Sequence, residues 1–186
     1  RAHDGRPVVR LLRDGGAQDF DHVVLATQAN QALVLWQDAG ASDLAALQGF
    51  AYRRLEVVMH TDASFMPAQL CDWSPVNARV AETLDRPETT IWVNAVQPAL
   101  RGAPPVFQTV HPQRQPHEAL VIGRAQFERP LVNAQSQQAL AALQALQAQP
   151  GRRVWLCGSY AHSGVPLLES AVRSATEVAR AIEARE

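Results

Sequence analysis

The chain has 186 residues, of which 47% are hydrophobic and 19% charged, a composition typical of a globular protein with a buried core. Its formal net charge of -1 provides no general attraction for phosphate backbones or anionic lipids, which argues against a nucleic-acid partner. All 17 basic residues are arginine, so the chain has no lysine to form a Schiff base or act as an amine nucleophile.

The cysteines and the hydropathy pattern exclude further classes. Cys71 and Cys157 are far apart in the sequence and show neither a C-x-x-C nor a Cys/His spacing, so we expect no zinc site and no disulfide framework. No apolar run approaches the roughly 18 residues of a transmembrane helix, and no charged-then-apolar leader opens the chain. We therefore expect a cytoplasmic protein. Because the chain starts at Arg1 rather than at methionine, we also expect it to be a fragment.

The first 49 residues predict a β-hairpin followed by two short helices. Residues 8–12 and 20–26 are β-rich and flank an Asp-Gly-Gly turn. The second run is almost continuously apolar, which favours a strand buried on both faces. The apolar residues that follow have helical spacing, and residues 43–47 predict a second helix with Ser42 as a possible N-cap.

The middle of the chain, residues 50–127, predicts an antiparallel sheet. This part is rich in proline and in β-favouring residues. The predicted strands are residues 54–61, 89–97, 106–111 and 120–127.

The remaining residues return to a mixed pattern of strand and helix. Residues 133–149 carry leucines at helical spacing and end at a Pro-Gly pair, which predicts a helix. A short buried strand is predicted at residues 153–157 and a loop at residues 158–164. A long amphipathic helix follows, with Pro166 in its first turn.

This last strand, loop and helix form the most informative pattern. The first turn of a helix presents unpaired N–H groups and a partial positive charge, which suit an electron-rich ligand edge such as the N1–C2=O edge of a reduced flavin. An ordinary αβ unit with a tight loop gives the same pattern, so the segment alone leaves both interpretations open.

Two segments resemble the C-terminal FAD signature of flavin-containing amine oxidases: WLCGS at residues 155–159 and PLLESAVRSA at residues 166–175. In that family an apolar strand ends in Gly plus an acid, and the helix opens with apolar-Glu-Gly-Ala-x-x-Ser-Gly. The resemblance implies that Gly158 packs against the ribityl-phosphate region of FAD. The chain departs from the pattern because Ser159 replaces the acid, and Ser170 and Ala175 each replace a glycine.

A second element resembles the same family. The run FDHVVLAT at residues 20–27 is similar to the strand, ending in Ala-Thr, that returns the chain to the dinucleotide-binding sheet after a β-hairpin. The resemblance implies FAD as the cofactor, together with a set of residues that contact it. Within this set, the backbone of Leu167 and Leu168 would face the flavin pyrimidine edge. The whole set is Ala26, Thr27, Gly158, Ser159, Pro166, Leu167 and Leu168.

The implied fold class is α/β plus α+β. Residues 1–49 and 128–186 would form the C-terminal portions of a Rossmann-like FAD/NAD(P)-binding domain, and residues 50–127 a substrate-binding domain with an antiparallel sheet. None of the ten glycines forms the G-x-G-x-x-G fingerprint that binds the ADP moiety. We therefore expect the chain alone to bind FAD weakly or not at all.

The middle segment resembles a bacterial subgroup described as predicted NAD/FAD-binding proteins with an amine-oxidase domain. The likeness lies in VVMHTD at residues 57–62, Met66-Pro67, Trp73 and WVN at residues 92–94. We take His60, Trp73 and Trp92 as candidate substrate-pocket residues. His60 could pair with Asp62 on one strand face as acid and base, or be a hydrogen-bonded structural histidine. The tryptophans could equally be core residues.

Other sites are not indicated. His111 and His117 lack a third ligand at metal-like spacing, so no metal site is expected. No serine has the G-x-S-x-G context of a hydrolase nucleophile.

The predicted function is therefore that of an FAD-dependent oxidoreductase fragment. Amine-oxidising members of the family place a lysine near flavin N5, and this chain has no lysine. We accordingly expect hydride removal from an unidentified small molecule, with an apolar one favoured, rather than amine oxidation, and no residue is assigned to catalysis. The alternative is a stand-alone or redox-inactive α+β binding or scaffold domain.

Overall fold

The computed structural model describes residues 2–3, 6–80 and 87–185. The chain divides into two compact units: unit 1 comprises Arg1–Tyr52 and Pro130–Glu186, and unit 2 comprises Arg53–Arg129. The fold is mixed α/β and includes an antiparallel sheet. Parts of the predicted domain spans, namely residues 1, 4–5, 81–86 and 186, lie outside the described residues.

The described strands are β1 Ala2–His3, β2 Arg6–Pro7, β3 Val9–Arg13, β4 Gly16–Phe20, β5 Val23–Leu25, β6 Tyr52–His60, β7 Val76–Arg79, β8 Glu88–Trp92, β9 Phe107–Val110, β10 Val121–Pro130 and β11 Val154–Leu156. The α-helices are α1 Ala29–Leu35, α2 Ala41–Gln48, α3 Val93–Val96, α4 Ala134–Gln147 and α5 Leu168–Glu183.

The N-terminal hairpin differs from the prediction in its second strand. β3 pairs antiparallel with β4 across a turn in which Gly15 has a φ of 96°, a conformation that favours glycine. The predicted run of residues 20–26 is not one strand, because it is divided between the end of β4 and the separate strand β5. The break lies at Asp21, whose carbonyl accepts a hydrogen bond of 2.9 Å from the guanidinium of Arg153.

The strand after this break pairs with a strand at the other end of the chain. β5 and β11 form a parallel pair with Val24 opposite Trp155. Trp155 and Leu156 are fully buried, which confirms the predicted buried strand near the C-terminus. Val24 is 43% exposed, so the prediction that the N-terminal strand is buried on both faces is wrong for this chain.

Helices cover the two faces of this strand pair. Successive side chains of a strand point to opposite faces, so Leu156 contacts the core of α1, α2 and α4, while Trp155 and Cys157 contact α5. The first core contains Ala29, Ala32, Ala46, Leu47, Phe50, Ala139, Leu143, Leu146, Leu156, Tyr160 and Ala161. The second contains Trp155, Cys157 and Val178, with Ala181 and Ile182 at its margin.

Local sequence determines where the helices begin. The predicted helix at residues 133–149 is confirmed as α4, and the side chain of Asn133 caps it by accepting a 2.8 Å hydrogen bond from the backbone of Ser136. The predicted N-cap at Ser42 is wrong, since α2 begins at Ala41 with Gly40 as its N-cap.

The long C-terminal helix is confirmed, but its first turn is not where we predicted it. α5 begins at Leu168 with Leu167 as N-cap, so Pro166 precedes the helix instead of lying in its first turn. The hydroxyl of Ser170 donates a 2.8 Å hydrogen bond to the carbonyl of Val165, which holds the preceding loop against the helix.

Unit 2 contains a five-stranded sheet in the order β10-β6-β9-β8-β7. The β6–β9, β9–β8 and β8–β7 pairs are antiparallel, which confirms the sheet predicted for the middle of the chain. The predicted strand at residues 89–97 ends at Trp92. Asn94 then bends the chain, because its side-chain amide donates to three loop carbonyls and its Oδ1 accepts 2.7 Å from the N–H of Val106.

Candidate functional site

The parallel pair in unit 1 brings two of the predicted cofactor segments together. The carboxyl ends of parallel strands lie at the same edge of a sheet, so the loops after β5 and β11 are neighbours. The N–H of Cys157 continues the pairing by donating 3.3 Å to the carbonyl of Leu25. Thr27, which follows β5, and Gly158, which follows β11, therefore lie beside each other.

Gly158 occupies a backbone position that requires glycine. Its φ of 152° and ψ of 177° fall in a region that is almost exclusive to glycine. A Cβ at this position would lie 3.3 Å from the carbonyl oxygen of Thr27 and 3.0 Å from the Tyr160 ring. The carbonyl of Thr27 and the Tyr160 ring therefore leave little room for a side chain at Gly158.

Ser174 on α5 holds Gly158 in this conformation. Its hydroxyl oxygen accepts a hydrogen bond of 2.9 Å from the N–H of Gly158. The hydroxyl also lies 2.9 Å from the carbonyl of Gly158 and 2.9 Å from that of Ala171, and its one proton can be shared between them. Because Ser174 is only 3% exposed, these contacts are shielded from water. The motif serine of the helix is therefore a structural clamp on the motif glycine of the loop.

The loop after Gly158 turns back into the core. Ser159–Ala161 form one 3-10 turn, closed by a hydrogen bond of 3.0 Å from the N–H of Ala161 to the carbonyl of Gly158. The Tyr160 ring is buried edge-on against Phe50, with centroids 4.9 Å apart. Burial, with smaller contributions from Tyr52 and Cys157, raises the pKa of the Tyr160 phenol far above its ordinary value, so this group stays protonated.

Ser159 and Cys157 contribute little acid-base chemistry. Ser159 is half-buried, and none of the hydrogen bonds within the described residues involves its side chain. A hydroxyl there can offer one neutral hydrogen bond to a ligand but lacks the strength of a carboxylate. Burial raises the pKa of the Cys157 thiol, so it is not an activated nucleophile.

The beginning of α5 exposes apolar side chains and backbone donors. Leu167 and Leu168 are 53% and 82% exposed, and Val165 before them is 64% exposed. The first N–H groups of a helix have no partner within the helix. The first turn therefore combines apolar surface with free donors, about one and a half turns before the Ser174 clamp.

The three candidate pocket residues of unit 2 are brought together on one face of the sheet. His60 is fully buried, and its ring lies 5.8 Å from that of Phe107. The Trp73 ring packs edge-on against both Trp92, at 5.3 Å, and Phe107, at 5.5 Å. The indole N–H of Trp73 donates to the carbonyl of Pro67 at 2.9 Å. In the chain as described, these aromatic side chains pack against one another.

Polar groups share this buried face. The Nε2 of His60 lies 2.8 Å from the hydroxyl of Thr109, which lies 2.8 Å from that of Thr90. Glu88 is 1% exposed, and its Oε2 accepts 2.8 Å from the N–H of Gln113, while Oε1 has no hydrogen-bond partner among the described residues, which exclude residues 81–86. An unpaired buried carboxylate oxygen is costly, which identifies Glu88 as a position with an unmet requirement for a donor.

The opposite face of the same sheet is mainly apolar and partly open, with Gln108 and Thr89 as its polar members in the paired register. The strand register puts Val57, Val110, Ile91 and Val76 on this face together with Met59. Met59 is 36% exposed and Val76 55%. This face is not among the predicted sites, although the alternation in Val57-Val58-Met59-His60 indicates it, because the even positions are buried and the odd positions point to the open face.

Metal and membrane features are not found in the described residues. No group of three or more His, Cys, Asp or Glu side chains there could hold a metal ion. No helix in the same part of the chain is long and apolar enough to cross a membrane.

Comparison with known proteins gives a fold-level likeness. No protein-family profile matches the chain, and no curated protein matches it. Among solved structures, it is similar to a protein described as "Putative protoporphyrinogen oxidase from Exiguobacterium sp. 255-15", with a TM-score of 0.58 and 14% sequence identity. The match covers 98% of this chain and 45% of that one, so this chain spans less than half the length of that structure.

Proposed function

We propose that the chain is the C-terminal part of an FAD-dependent oxidoreductase of the amine-oxidase type. Unit 1 would supply the C-terminal portions of a Rossmann-like FAD-binding domain, and unit 2 the substrate-binding domain. The observation that carries the proposal is the parallel β5–β11 pair with Gly158 at its carboxyl edge. In open α/β sheets, ligands bind outside the carboxyl ends of the strands, and glycine is used where backbone must approach closely.

The residues at this edge fit a dinucleotide cofactor. Ala26, Thr27, Gly158 and Ser159 would contact its ribityl and phosphate region. The backbone of residues 166–168 would face the flavin ring, where the N–H of Leu168 suits the electron-rich edge of a flavin. Pro166 has no N–H, and the N–H of Leu167 donates to the carbonyl of Val165 at 2.8 Å. The exposed side chains of the leucines there would provide apolar surface beside the ring. When bound, FAD would supply the hydride-accepting chemistry, and this chain would bind and orient it.

The small size of the parallel sheet in unit 1 supports the proposal that this unit is part of a larger domain. Parallel sheets normally have several strands and both faces covered, whereas β5 and β11 contribute three residues each and Val24 is 43% exposed. A βαβ unit with a G-x-G-x-x-G turn, from sequence preceding Arg1, would complete the sheet and bind the ADP moiety. The likeness that covers 45% of a longer oxidase-type structure is consistent with this requirement.

The reaction would be hydride removal from an apolar small molecule. No lysine is present in the chain to organise water near flavin N5, so amine oxidation is disfavoured. A second candidate function is a redox-inactive binding protein with the same fold. It is favoured by Ser159, which replaces the acid of the family pattern and offers only a neutral hydrogen bond to the ribityl chain.

The test compares two polypeptides: the 186-residue chain, and the longer product that includes any coding sequence upstream of Arg1. Each is titrated with FAD and followed by visible absorbance and flavin fluorescence. We expect stoichiometric binding to the longer product and weak or no binding to the chain alone. A start codon close to Arg1, or a stoichiometric yellow complex of the chain alone, would contradict the proposal.

A variant pair tests the position of the site. Gly158→Ala in the longer product should abolish or greatly weaken FAD binding. Gly164→Ala is the control, because Gly164 also has a positive φ, of 97°, but a Cβ there meets no atom within 4 Å. Binding by Gly158→Ala as tight as that of the unsubstituted product would exclude the close approach at Gly158 as part of the cofactor site. Photoreduction or dithionite reduction of the bound flavin then separates an oxidoreductase from a redox-inactive protein.

A further inference from the structure

His60 lies at the junction between the unit 2 sheet and the segment that covers its buried face. It is the last residue of β6 and is fully buried. The backbone N–H of Asp62 donates a 3.1 Å hydrogen bond to its Nδ1. Because a backbone amide can only donate, Nδ1 must be unprotonated. The neutral ring therefore carries its proton on Nε2, which donates to Thr109.

The covering segment, residues 62–66, packs directly on this ring. It consists of Asp62, the 3-10 turn Ala63–Phe65, and Met66. Phe65 and Met66 are 8% and 7% exposed, and the Phe65 ring lies 4.7 Å from that of His60. The imidazole is thus the layer between the covering segment and the sheet.

Asp62 joins the covering segment to the loop that contains residues 111–117. Its Oδ1 accepts hydrogen bonds from the backbone and hydroxyl of Ser64, at 3.0 and 2.6 Å, and its Oδ2 accepts 3.2 Å from the N–H of His117. Arg114 donates to the Ser64 hydroxyl at 3.1 Å, and its guanidinium lies 4.1 Å above the Phe65 ring. A change at the Asp62 backbone would therefore be transmitted to both segments.

The charged groups around His60 do not compensate for its burial. Burial lowers the pKa of the imidazole; Asp62 and Glu88 raise it by smaller amounts, and Arg114 lowers it further. The net pKa is below the ordinary value. Burial also opposes ionisation of Asp62, but the hydrogen bonds from Ser64 and His117 outweigh it and lower the Asp62 pKa, so this carboxylate remains ionised while His60 titrates.

We propose that His60 is a pH-sensitive latch, in which protonation of Nδ1 breaks the hydrogen bond from the Asp62 N–H and releases residues 62–66 from the sheet. A proton on Nδ1 would face the amide proton and leave both donors unpaired in a buried site. The released segment would uncover His60, Phe107 and the row of buried hydroxyls. This inference concerns unit 2 alone and does not depend on flavin binding.

The direction of the pH effect follows from linkage. An exposed histidine has a pKa of about 6.5, and the closed state has a lower one. Below about pH 6.5 the open state binds the proton first, so the closed state is fully favoured above that pH and loses stability as the pH falls. Between the two pKa values, the ratio of open to closed molecules rises by up to about tenfold per pH unit.

The test is residue-resolved hydrogen exchange on the 186-residue chain between about pH 7.5 and about pH 5, corrected for the intrinsic pH dependence of exchange. We expect protection of the Asp62 and Phe65 amides to fall by up to about tenfold per unit below pH 6.5. The amide of Trp92, which donates to the carbonyl of Pro75, should keep its protection and so distinguish local opening from unfolding of the sheet.

Two variants identify the titrating group. His117→Gln removes the neighbouring histidine, in the loop that contains residues 111–117, and should leave the pH dependence unchanged. His60→Asn supplies a non-titrating acceptor for the Asp62 N–H and should abolish the pH dependence. The latch proposal would be overturned if the pH dependence of protection disappeared in His117→Gln, or if it persisted in His60→Asn.

Nitrogen NMR of the wild-type chain gives a readout that requires no variant. We expect a protonated Nε2 and an unprotonated Nδ1 near neutral pH, with a titration midpoint below that of a free histidine. A proton on Nδ1 at neutral pH, or a midpoint at or above about 6.5, would refute the proposal even if His60→Asn fails to fold.

Discussion

Substitution of Gly158 by alanine tests the central geometric claim about the loop after β11. The φ of 152° and ψ of 177° at this residue are essentially restricted to glycine. The added Cβ would also meet the buried Tyr160 ring at 3.0 and 3.2 Å and the carbonyl of Thr27 at 3.3 Å. Backbone strain and crowding therefore act in the same direction.

The magnitude follows from these two contributions. Forcing a non-glycine residue into such a conformation costs about 1–3 kcal/mol. Crowding in a packed interior costs about another 1–3 kcal/mol, because the Tyr160 ring is held by Phe50 and cannot move freely. Removing a glycine stabilises the folded state by only about 0.4–1 kcal/mol through the entropy of the unfolded chain. The net destabilisation expected is therefore about 1–5.5 kcal/mol.

The assay is urea unfolding followed by tryptophan fluorescence and circular dichroism, with midpoints and slopes compared among variants. The matched control is Gly164→Ala, which has the same type of strained φ, at 97°, but no atom within 4 Å of the added Cβ. We expect Gly158→Ala to lower the free energy of unfolding more than Gly164→Ala does, and the difference should equal the crowding contribution of about 1–3 kcal/mol. If the two variants unfold at the same urea concentration, the close approach of Thr27 and Tyr160 to Gly158 is refuted.

Two further substitutions test packing in unit 1 by the same assay. Ser174→Ala leaves the buried N–H of Gly158 unpaired and should cost about 1–3 kcal/mol. The control Thr176→Ala removes an exposed hydroxyl of the same helix that donates to the carbonyl of Val172, so stability and FAD binding by the longer product should both fall more for Ser174→Ala. A Cβ on Gly49 would lie 2.5 Å from the Cβ of Ala139, so Gly49→Ala should cost about 1–3 kcal/mol by forcing α2 and α4 apart. Adding Ala139→Gly to the same chain should recover part of that lost stability. If the stability effects of the two substitutions simply add, the contact between these positions is contradicted.

The sequence could predict features that depend on local chemistry. α4 was predicted from leucine spacing and the terminal Pro-Gly pair, and Asn133 caps it through a hydrogen bond to a residue three positions away. The antiparallel sheet of unit 2 was predicted because its strands are rich in β-favouring residues and separated by prolines. In both cases, the interactions that determine the element lie within a few residues of one another or within one contiguous segment.

The features that the sequence could not predict depend on distant partners. Residues 20–26 read as one strand, but Arg153, more than a hundred positions away, binds the carbonyl of Asp21 and pairs with Val23. The strand at residues 89–97 was predicted too long because Asn94 bonds to loop carbonyls that the local pattern does not reveal. The start of α5 shifted because the Ser170 hydroxyl holds Val165 outside the helix.

The same distinction applies to the candidate sites. The sequence leaves two interpretations of His60: a member of an acid-base pair with Asp62, or a structural histidine. Its partner Thr109 lies on a neighbouring strand and in turn bonds to Thr90 on the next one, and the register of these strands is set by tertiary pairing. Asp62 does contact His60, but through its backbone N–H, while its carboxylate caps the following turn. On a continuous strand, the side chains of His60 and Asp62 would point to the same face. This expectation does not hold because β6 ends at His60, before Asp62.

The two motif segments of unit 1 are also linked in a way that neither reveals alone. A glycine after a strand and a serine inside a helix are each common, and their spacing of sixteen residues suggests no contact. In the fold, the serine hydroxyl bonds the glycine N–H, and that glycine lies against the backbone that follows β5. The end of β5, the loop after β11 and the helix α5 are therefore one connected structure. A change in any of these three elements would therefore alter the binding of a cofactor at this edge. Ser174 is buried and uncharged, yet for this reason Ser174→Ala is expected to weaken FAD binding by the longer polypeptide as well as to lower stability.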